Sequence, residues 1–237
     1  IIAVNVINGK IESTASRRLD EAISSSGMEK NLSYGEIKAE SAKGRLSISD
    51  FTWLPVEGGS EVRASSISID VPTGEAIALA NDPENAVLSR AEFTGNGMVF
   101  TDTKTGTKTT FETFSMSAEG ELGQSLMNAG QAEFLRKVSS VKMSIENSQF
   151  VPGEQLMMQL QLIPGAAALV SEGAMNISSM EMEADLSPER AELKKITLES
   201  GLMTFDGNID VKLKEARKAT DLDAKLAVAD MHAELRK

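Results

Sequence analysis

The sequence predicts an α+β fold in which short helices pack on one face of a large, twisted, mainly antiparallel β-sheet. Two observations predict this class. Long stretches such as 62–71 alternate apolar residues with Ser or charged residues, and a period of two is typical of strands with one buried and one hydrated face. The apolar share is 41% but the aromatic share only 4%, so we expect an aliphatic interior that draws on the 12 Met.

An amphipathic helix is predicted near the amino terminus. Ile11, Ala15, Leu19 and Ile23 recur at helical spacing, and the Ser-Ser-Ser-Gly run at 24–27 supplies a stop. The other predicted helices cover 72–80, 121–135 and a short Ala-rich stretch after Pro164-Gly165.

Strands are predicted wherever the period changes to two. They cover 46–54, 62–71, 87–93, 98–100, 111–118, 138–150, 156–163, 175–186, 196–200 and 203–213. Gly95-Asn96-Gly97 predicts a hairpin turn, because Gly and Asn accept positive φ. The group 206–208 suits a bulge or a turn, and the tail 216–237 fits either a helix or a strand.

Four Phe residues indicate an internal repeat. Phe51, Phe100, Phe150 and Phe205 recur at intervals of 49, 50 and 55 residues, although chance spacing among eight Phe is the alternative. A helix-plus-three-strands unit used about four times would explain these intervals. We therefore predict one elongated repeat domain over 1–237. Its units are 10–71, 72–118, 119–163 and 164–215, followed by the tail 216–237.

The first seven residues, Ile-Ile-Ala-Val-Asn-Val-Ile, are unusually apolar. They suit the end of a removed signal or anchor helix, or a first strand. The charge balance is acidic, with 24 basic and 35 acidic residues and a net charge of −11. Nucleic acid is therefore not an expected partner, because its binding depends on clustered Lys and Arg.

The residues of the common catalytic and cofactor sites are scarce. The chain has no Cys and a single His, His232, so we expect no zinc site and no Ser-His-Asp triad. No phosphate-cradling Gly-rich motif occurs, so we expect no nucleotide cofactor. The sequence predicts a protein that is not an enzyme, with no catalytic, metal or cofactor-binding residues. A hydrolase that uses carboxylates or Ser is the distant alternative.

Methionine is concentrated in the second half, where seven of the 12 lie between 143 and 203. Met suits irregular cores and also adaptable apolar binding surfaces. We therefore name a candidate apolar ligand groove, with core filling as its alternative. The candidate residues, read as alternating on strands, are Met143, Ile145, Leu156, Met158, Leu160, Leu162, Met180 and Met182.

Three segments carry a resemblance to a known family. The stretches 44–51 (Gly-Arg-Leu-Ser-Ile-Ser-Asp-Phe), 195–202 (Lys-Ile-Thr-Leu-Glu-Ser-Gly-Leu) and 32–37, which follows the first helix, resemble bacterial AsmA-like proteins. They are also similar to a related class of membrane-anchored periplasmic repeat proteins. The resemblance covers about three-quarters of the chain. It rests on pattern rather than on an invariant motif.

This resemblance implies a periplasmic domain, anchored to the inner membrane, whose long curved sheet handles lipid on an apolar concave face. The chain departs from that pattern in having strands with Ser on one side and a modest apolar set on the other, which suits a sheet covered by helices and leaves no evident spare face.

The expected function is a non-enzymatic periplasmic binding or scaffold domain in cell-envelope maintenance. Its expected partner is lipid or another envelope protein, with the membrane reached only through a removed N-terminal anchor. The alternative is an interaction module that docks a protein partner along a sheet edge. The oligomeric state is not predicted.

Overall fold

A computed structural model describes residues 2–25, 27–54, 59–82, 85–123, 133, 136–171, 173, 175–187, 190–201, 203–212 and 225–235. The helices are α1 (Ile2–Ser25), α2 (Thr73–Asn81), α3 (Glu154–Gln161) and α4 (Ala166–Ser171). The strands are β1 (Leu32–Ser33), β2 (Ile37–Glu40), β3 (Arg45–Trp53), β4 (Ser60–Asp70), β5 (Val87–Asp102), β6 (Lys108–Gly123), β7 (Val138–Val151), β8 (Ile177–Leu186), β9 (Arg190–Ser200), β10 (Met203–Lys212) and β11 (Lys225–Leu235).

The eleven strands of the described residues belong to one open antiparallel sheet. From β3 to β11 each strand pairs with its successor in the chain, and β1 and β2 both pair with β3. Consecutive antiparallel strands need only short connections. Ser187 lies in the connection between β8 and β9, and Gly201 lies in the connection between β9 and β10. The prediction of a large, mainly antiparallel sheet is confirmed.

Helix α1 lies along the edge of the sheet at β2. The outward backbone N–H groups of Ala39 and Ser41 donate to Glu12 Oε1 at 2.8 Å and to Asn8 Oδ1 at 2.9 Å. A third bond joins the hydroxyl of Tyr34 to Asp20 Oδ1 at 2.7 Å. Asn8, Glu12 and Asp20 follow one another at intervals of four and eight residues, so they lie on the same side of the helix. Asn8 and Glu12 thus satisfy edge N–H groups that would otherwise be open to another strand.

A crease crosses the sheet from β3 to β7. Asp50, Gly97 and Asn147 have φ of 49°, 57° and 49°. The strand register places them in one row, with Ser65 and Glu112 between them. Left-handed residues in extended strands redirect the chain, and Gly, Asn and Asp tolerate this conformation best. The row is therefore a line along which the sheet bends.

The crease also shifts the side-chain alternation by one residue. A Cβ built on Gly95 would lie 2.3 Å from Met98 Sδ, so positions 95 and 98 share a face although they are three apart. Uninterrupted alternation would put them on opposite faces. The predicted hairpin at Gly95-Asn96-Gly97 is wrong for this reason. Gly97 bends a continuous strand, and the chain reverses only at 103–107.

Two further predicted elements differ from the structure. Residues 156–163 were expected to form a strand, but Glu154–Gln161 is helix α3. Within the predicted helix 121–135, residues 121–123 belong to β6, while 124–132 and 134–135 lie outside the described residues. The tail was predicted to be either a helix or a strand, and the structure has a strand over Lys225–Leu235. The first residues were predicted to end a removed anchor helix or to form a first strand, and the structure has a helix that begins at Ile2.

The element order does not show the predicted helix-plus-three-strands unit. The predicted helices that the structure confirms are α1, α2 and α4. Helix α2 is followed by the long strands β5 and β6, where the predicted unit has three shorter strands. Phe51, Phe100 and Phe150 lie on alternate strands, β3, β5 and β7, but Phe205 lies on β10. The spacing of about 50 residues thus corresponds to two strands and a connection for the first three Phe only.

Few apolar side chains are buried in the part of the chain that the structure describes. They are Ile23, Ile37, Ala39, Ala64, Met98, Val138, Val170 and Ala184. Most apolar residues of the sheet are instead half-buried. The candidate site is a face of the sheet whose apolar side chains are half-buried.

Candidate functional site

Two rows of apolar side chains run across the sheet on one side of the crease. This is the side that contains Ile48 of β3 and Ile67 of β4. We call the two rows together the apolar face. The first row, in pairing order from β3, is Leu46, Ile69, Phe93, Met116, Met143, Met182 and Ile196. The second is Ile48, Ile67, Gly95, Phe114, Ile145, Met180, Leu198 and Phe205. Directly paired residues share a face of an antiparallel sheet, so each row is continuous.

The apolar face is only partly covered. Met116 exposes 46% of its surface and Ile69 exposes 43%, and the side chains between them in the rows are half-buried. Phe93 and Phe114 meet edge to face with ring centroids 6.1 Å apart, which fixes the centre of the face. Large apolar patches that reach the surface are typical of binding sites, so the exposed Met116 and Ile69 and the half-buried side chain between them make this face the candidate.

The opposite face of the same strands is polar. One of its rows is Ser47, Ser68, Thr94, Ser115, Ser144, Glu181, Thr197 and Asp206. The hydroxyls of Ser115 and Ser144 lie 2.7 Å apart, and Lys142 pairs with Glu183 at 3.2 Å. This face therefore interacts well with water. On this side of the crease, the sheet has one apolar face and one polar face.

A shallow depression of about 320 Å³ lies on the polar face around Ser144. Its lysines, Lys142 and Lys195, pair with Glu183 and Glu181. The hydrogen bond from Lys195 to Glu181 raises the pKa of that lysine, and the negative charge of the same carboxylate adds to the effect. Because these opposite charges compensate each other, the depression offers no net charge to a ligand.

The structure brings together half of the predicted groove residues. Met143 pairs with Met182 and Ile145 pairs with Met180, so these four form a block at the centre of the apolar face. The block was predicted from strand alternation, and its use by a ligand stays a prediction.

The other four predicted groove residues do not join that block. Leu156, Met158, Leu160 and Leu162 belong to helix α3 and its end, not to a strand. Residues two apart on a helix point about 200° apart, so they cannot share one face. Leu156 and Leu160 are half-buried, whereas Met158 and Leu162 are 61% and 83% exposed. This part of the predicted groove is wrong.

Sequence reasoning missed the larger part of the apolar face. Phe93, Phe114, Met116 and the residues of β3 and β4 were assigned to strands but not to one surface. The signal that could have found them is the alternation itself, with a one-residue shift allowed at Asp50, Gly97 and Asn147. Without that shift the apolar positions of one strand divide between two faces.

The described residues lack two features that would point to other functions. No group of three or more His, Cys, Asp or Glu there is placed to hold a metal ion. No described helix combines the length and the apolar character needed to cross a membrane. What the arrangement offers chemically is apolar contact along a row of side chains.

Fold and site together define a class of protein, an open antiparallel sheet with one apolar and one polar face, bounded at one edge by a helix. The chain matches no protein-family model, no curated protein and no solved structure.

Proposed function

We propose that this chain binds the alkyl chains of lipids along the apolar face and does so without catalysing a reaction. The observation that carries the proposal is the pair of adjacent apolar rows, whose member Met116 is 46% exposed. Each methylene removed from water contributes about 0.8 kcal/mol, so contact with several methylenes is enough for binding.

The dimensions of the rows suit an extended chain. Neighbouring strands lie about 4.8 Å apart, so the eight strands of the second row span roughly 34 Å. The hydrocarbon core of a bilayer is about 30 Å thick, and one acyl chain accounts for about half of it. The apolar face is therefore long enough for one chain lying across the strands, with room for a second.

The wider role follows the AsmA-like resemblance and is part of the same proposal. The domain would act in the periplasm in maintenance of the cell envelope, and an anchor preceding Ile1 would tether it to the inner membrane. Fusion of the natural gene product to a reporter active only in the periplasm tests the location, and a fusion that is produced but shows no reporter activity would contradict it.

The binding proposal is tested by titrating the purified, delipidated chain with dodecanol in a calorimeter. We expect saturable binding that Met116→Gln weakens about tenfold, because a Gln amide held against an alkyl chain loses hydration worth roughly 1–3 kcal/mol. Ser117→Gln is the matched control, since Ser117 is the next residue of β6 and lies on the polar face. Absence of binding, or equal loss in both variants, would contradict the proposal.

A second candidate is the docking of a protein partner along the sheet edge at β11. That strand ends the strand order, and no other described strand pairs with its outer side. Free edge groups favour addition of a further strand. Recovery of a partner protein from envelope extract, together with a lipid-free extract of the purified chain, would favour this candidate over lipid binding.

A further inference from the structure

The apolar face ends at a pocket beneath two helices. Helix α1 contributes Ile11 and Ala15, the sheet contributes Leu46 and Ile69, and helix α2 contributes Ala76 and Leu79. The cavity measures about 200 Å³. Leu46 and Ile69 are also the first two members of an apolar row, so the pocket is continuous with the face.

The size of the pocket limits its occupant. Sites for drug-sized molecules commonly measure about 300–1,000 Å³, so this pocket is too small for a bulky lipid with two chains side by side. Seven of its twelve lining residues are aliphatic, and two of these, Leu46 and Ile69, belong to the apolar row. A single alkyl chain fits both features.

One cation at the pocket, Arg18, has no partner among the residues that the structure describes. Ile11, Ala15 and Arg18 are four and three residues apart on α1, which puts the guanidinium on the helix face that lines the pocket. Within the described chain no carboxylate lies in salt-bridge range of Arg18. The other arginine of the lining, Arg45, is already held by Asp70 through an Nε–Oδ1 contact of 2.7 Å.

The acidic groups Asp70, Glu40 and Glu92 lie near Arg45 and offset its charge. Arg18 is therefore the cation of the described lining that stays uncompensated, although the chain as a whole carries −11. Charges farther away than about 8 Å are screened at physiological ionic strength, so the near groups decide which ligand is favoured. The described lining contains no acidic residue. A guanidinium binds a carboxylate through two parallel hydrogen bonds.

We propose that this pocket takes the end of a single-chain fatty acid, with the ligand's carboxylate bound by Arg18 and its alkyl chain held between α1, α2 and strands β3 and β4. The inference rests on the proposed function and adds to it a ligand class and a position. It makes Arg18 a determinant of head-group specificity.

The test compares three amphiphiles of one chain length, dodecanoate, dodecanol and dodecylammonium, by calorimetry on the full chain. We expect dodecanoate to bind about fivefold more tightly than dodecanol, the effect of a partly exposed ion pair, and dodecylammonium to bind most weakly. Arg18→Gln should remove the preference for dodecanoate. Arg17→Gln is the matched control, because Arg17 is the preceding residue and pairs with Glu21 instead.

A second variant tests where the alkyl chain lies. Ala76→Leu fills the pocket and keeps a strong helix former in α2, so the fold is expected to tolerate it. We expect it to weaken dodecanoate binding at least fivefold. Equal affinities for dodecanoate and dodecanol, or binding unaffected by both Arg18→Gln and Ala76→Leu, would overturn this inference while leaving intact a proposed function supported by Met116→Gln. Failure of all three amphiphiles to bind would overturn both.

Discussion

Asp102 organises the turn between β5 and β6 through its carboxylate. The backbone N–H of Lys104 donates to Oδ1 at 2.8 Å, and the hydroxyl of Thr105 donates to Oδ2 at 2.9 Å. These bonds, the one from Lys104 first, lower the pKa of Asp102 below its ordinary value of 3.8. Gly106 completes the turn with φ of 71°.

The lowered pKa predicts how the turn responds to acid. A carboxylate whose pKa is lower in the folded state stabilises the fold above its unfolded pKa, and this contribution is lost as the pH falls through the folded pKa. We expect the amide resonance of Lys104 to shift with a midpoint below pH 3.8. Asp102→Asn should lack this step, and a midpoint at or above 3.8 in the native chain would contradict the assignment.

Gly97 is the glycine of the crease, and a side chain there would be strained by the backbone and would displace the Ser65 hydroxyl. A Cβ there would lie 2.5 Å from Ser65 Oγ, and its φ of 57° is unfavourable for most residues. We expect Gly97→Ala to lower the free energy of unfolding by about 1–3 kcal/mol, measured by urea denaturation. Gly9→Ala, in α1 with open space around it, should instead be neutral or slightly stabilising. Equal effects of the two substitutions would contradict the role of the crease.

Helix α1 protects an edge of the sheet by side-chain bonds rather than by strand pairing. Removing the acceptor in Glu12→Ala leaves the part-buried N–H of Ala39 without its partner, which costs about 1–3 kcal/mol. We therefore expect faster hydrogen exchange at the Ala39 amide and lower stability to urea. Glu21→Ala is the control, because among the described residues Glu21 pairs with Arg17 in an exposed contact. Unchanged exchange at Ala39 would show that α1 does not hold this edge.

Helix α3 illustrates why elements can be misassigned from alternation alone. Leu156, Met158, Leu160 and Leu162 alternate with other residues, but Met157 interrupts the pattern with a further apolar side chain. Glu, Gln, Leu and Met are all good helix formers, and Glu154 is favourable in a first turn. Helical propensity therefore decides this short segment, and the sequence contained that information.

The arrangement of strands into one surface was less accessible from the sequence. Alternation identified most strands of the sheet, and it identified Met143, Ile145, Met180 and Met182 as apolar positions of β7 and β8. It did not reveal the crease, because a left-handed residue inside a strand resembles a turn in sequence. Register across many strands depends on where those residues align, and this is a tertiary property.

At the scale of the whole molecule, the half-exposed apolar face affects the thermodynamics of unfolding. The heat capacity of unfolding rises with the apolar surface that becomes exposed, and typical proteins give about 12–15 cal/mol/K per residue. Side chains such as Met116 and Ile69, at 46% and 43% exposure, already contact water in the folded state. We expect calorimetry of the delipidated chain to give a value below that range.

A bound alkyl chain should raise both the melting temperature and the heat capacity of unfolding. Ligand binding to the folded state alone raises its stability by about 2.7 kcal/mol at a free concentration one hundred times Kd, so Tm should rise with dodecanol concentration. The heat capacity of unfolding should increase as well, because the covered face then becomes exposed only on unfolding and on release of the ligand. The Met116→Gln variant should need more dodecanol for the same rise in Tm. A heat capacity within the ordinary range for the ligand-free chain would mean that the apolar face is covered in solution, and that the surface proposed here for lipid is not available.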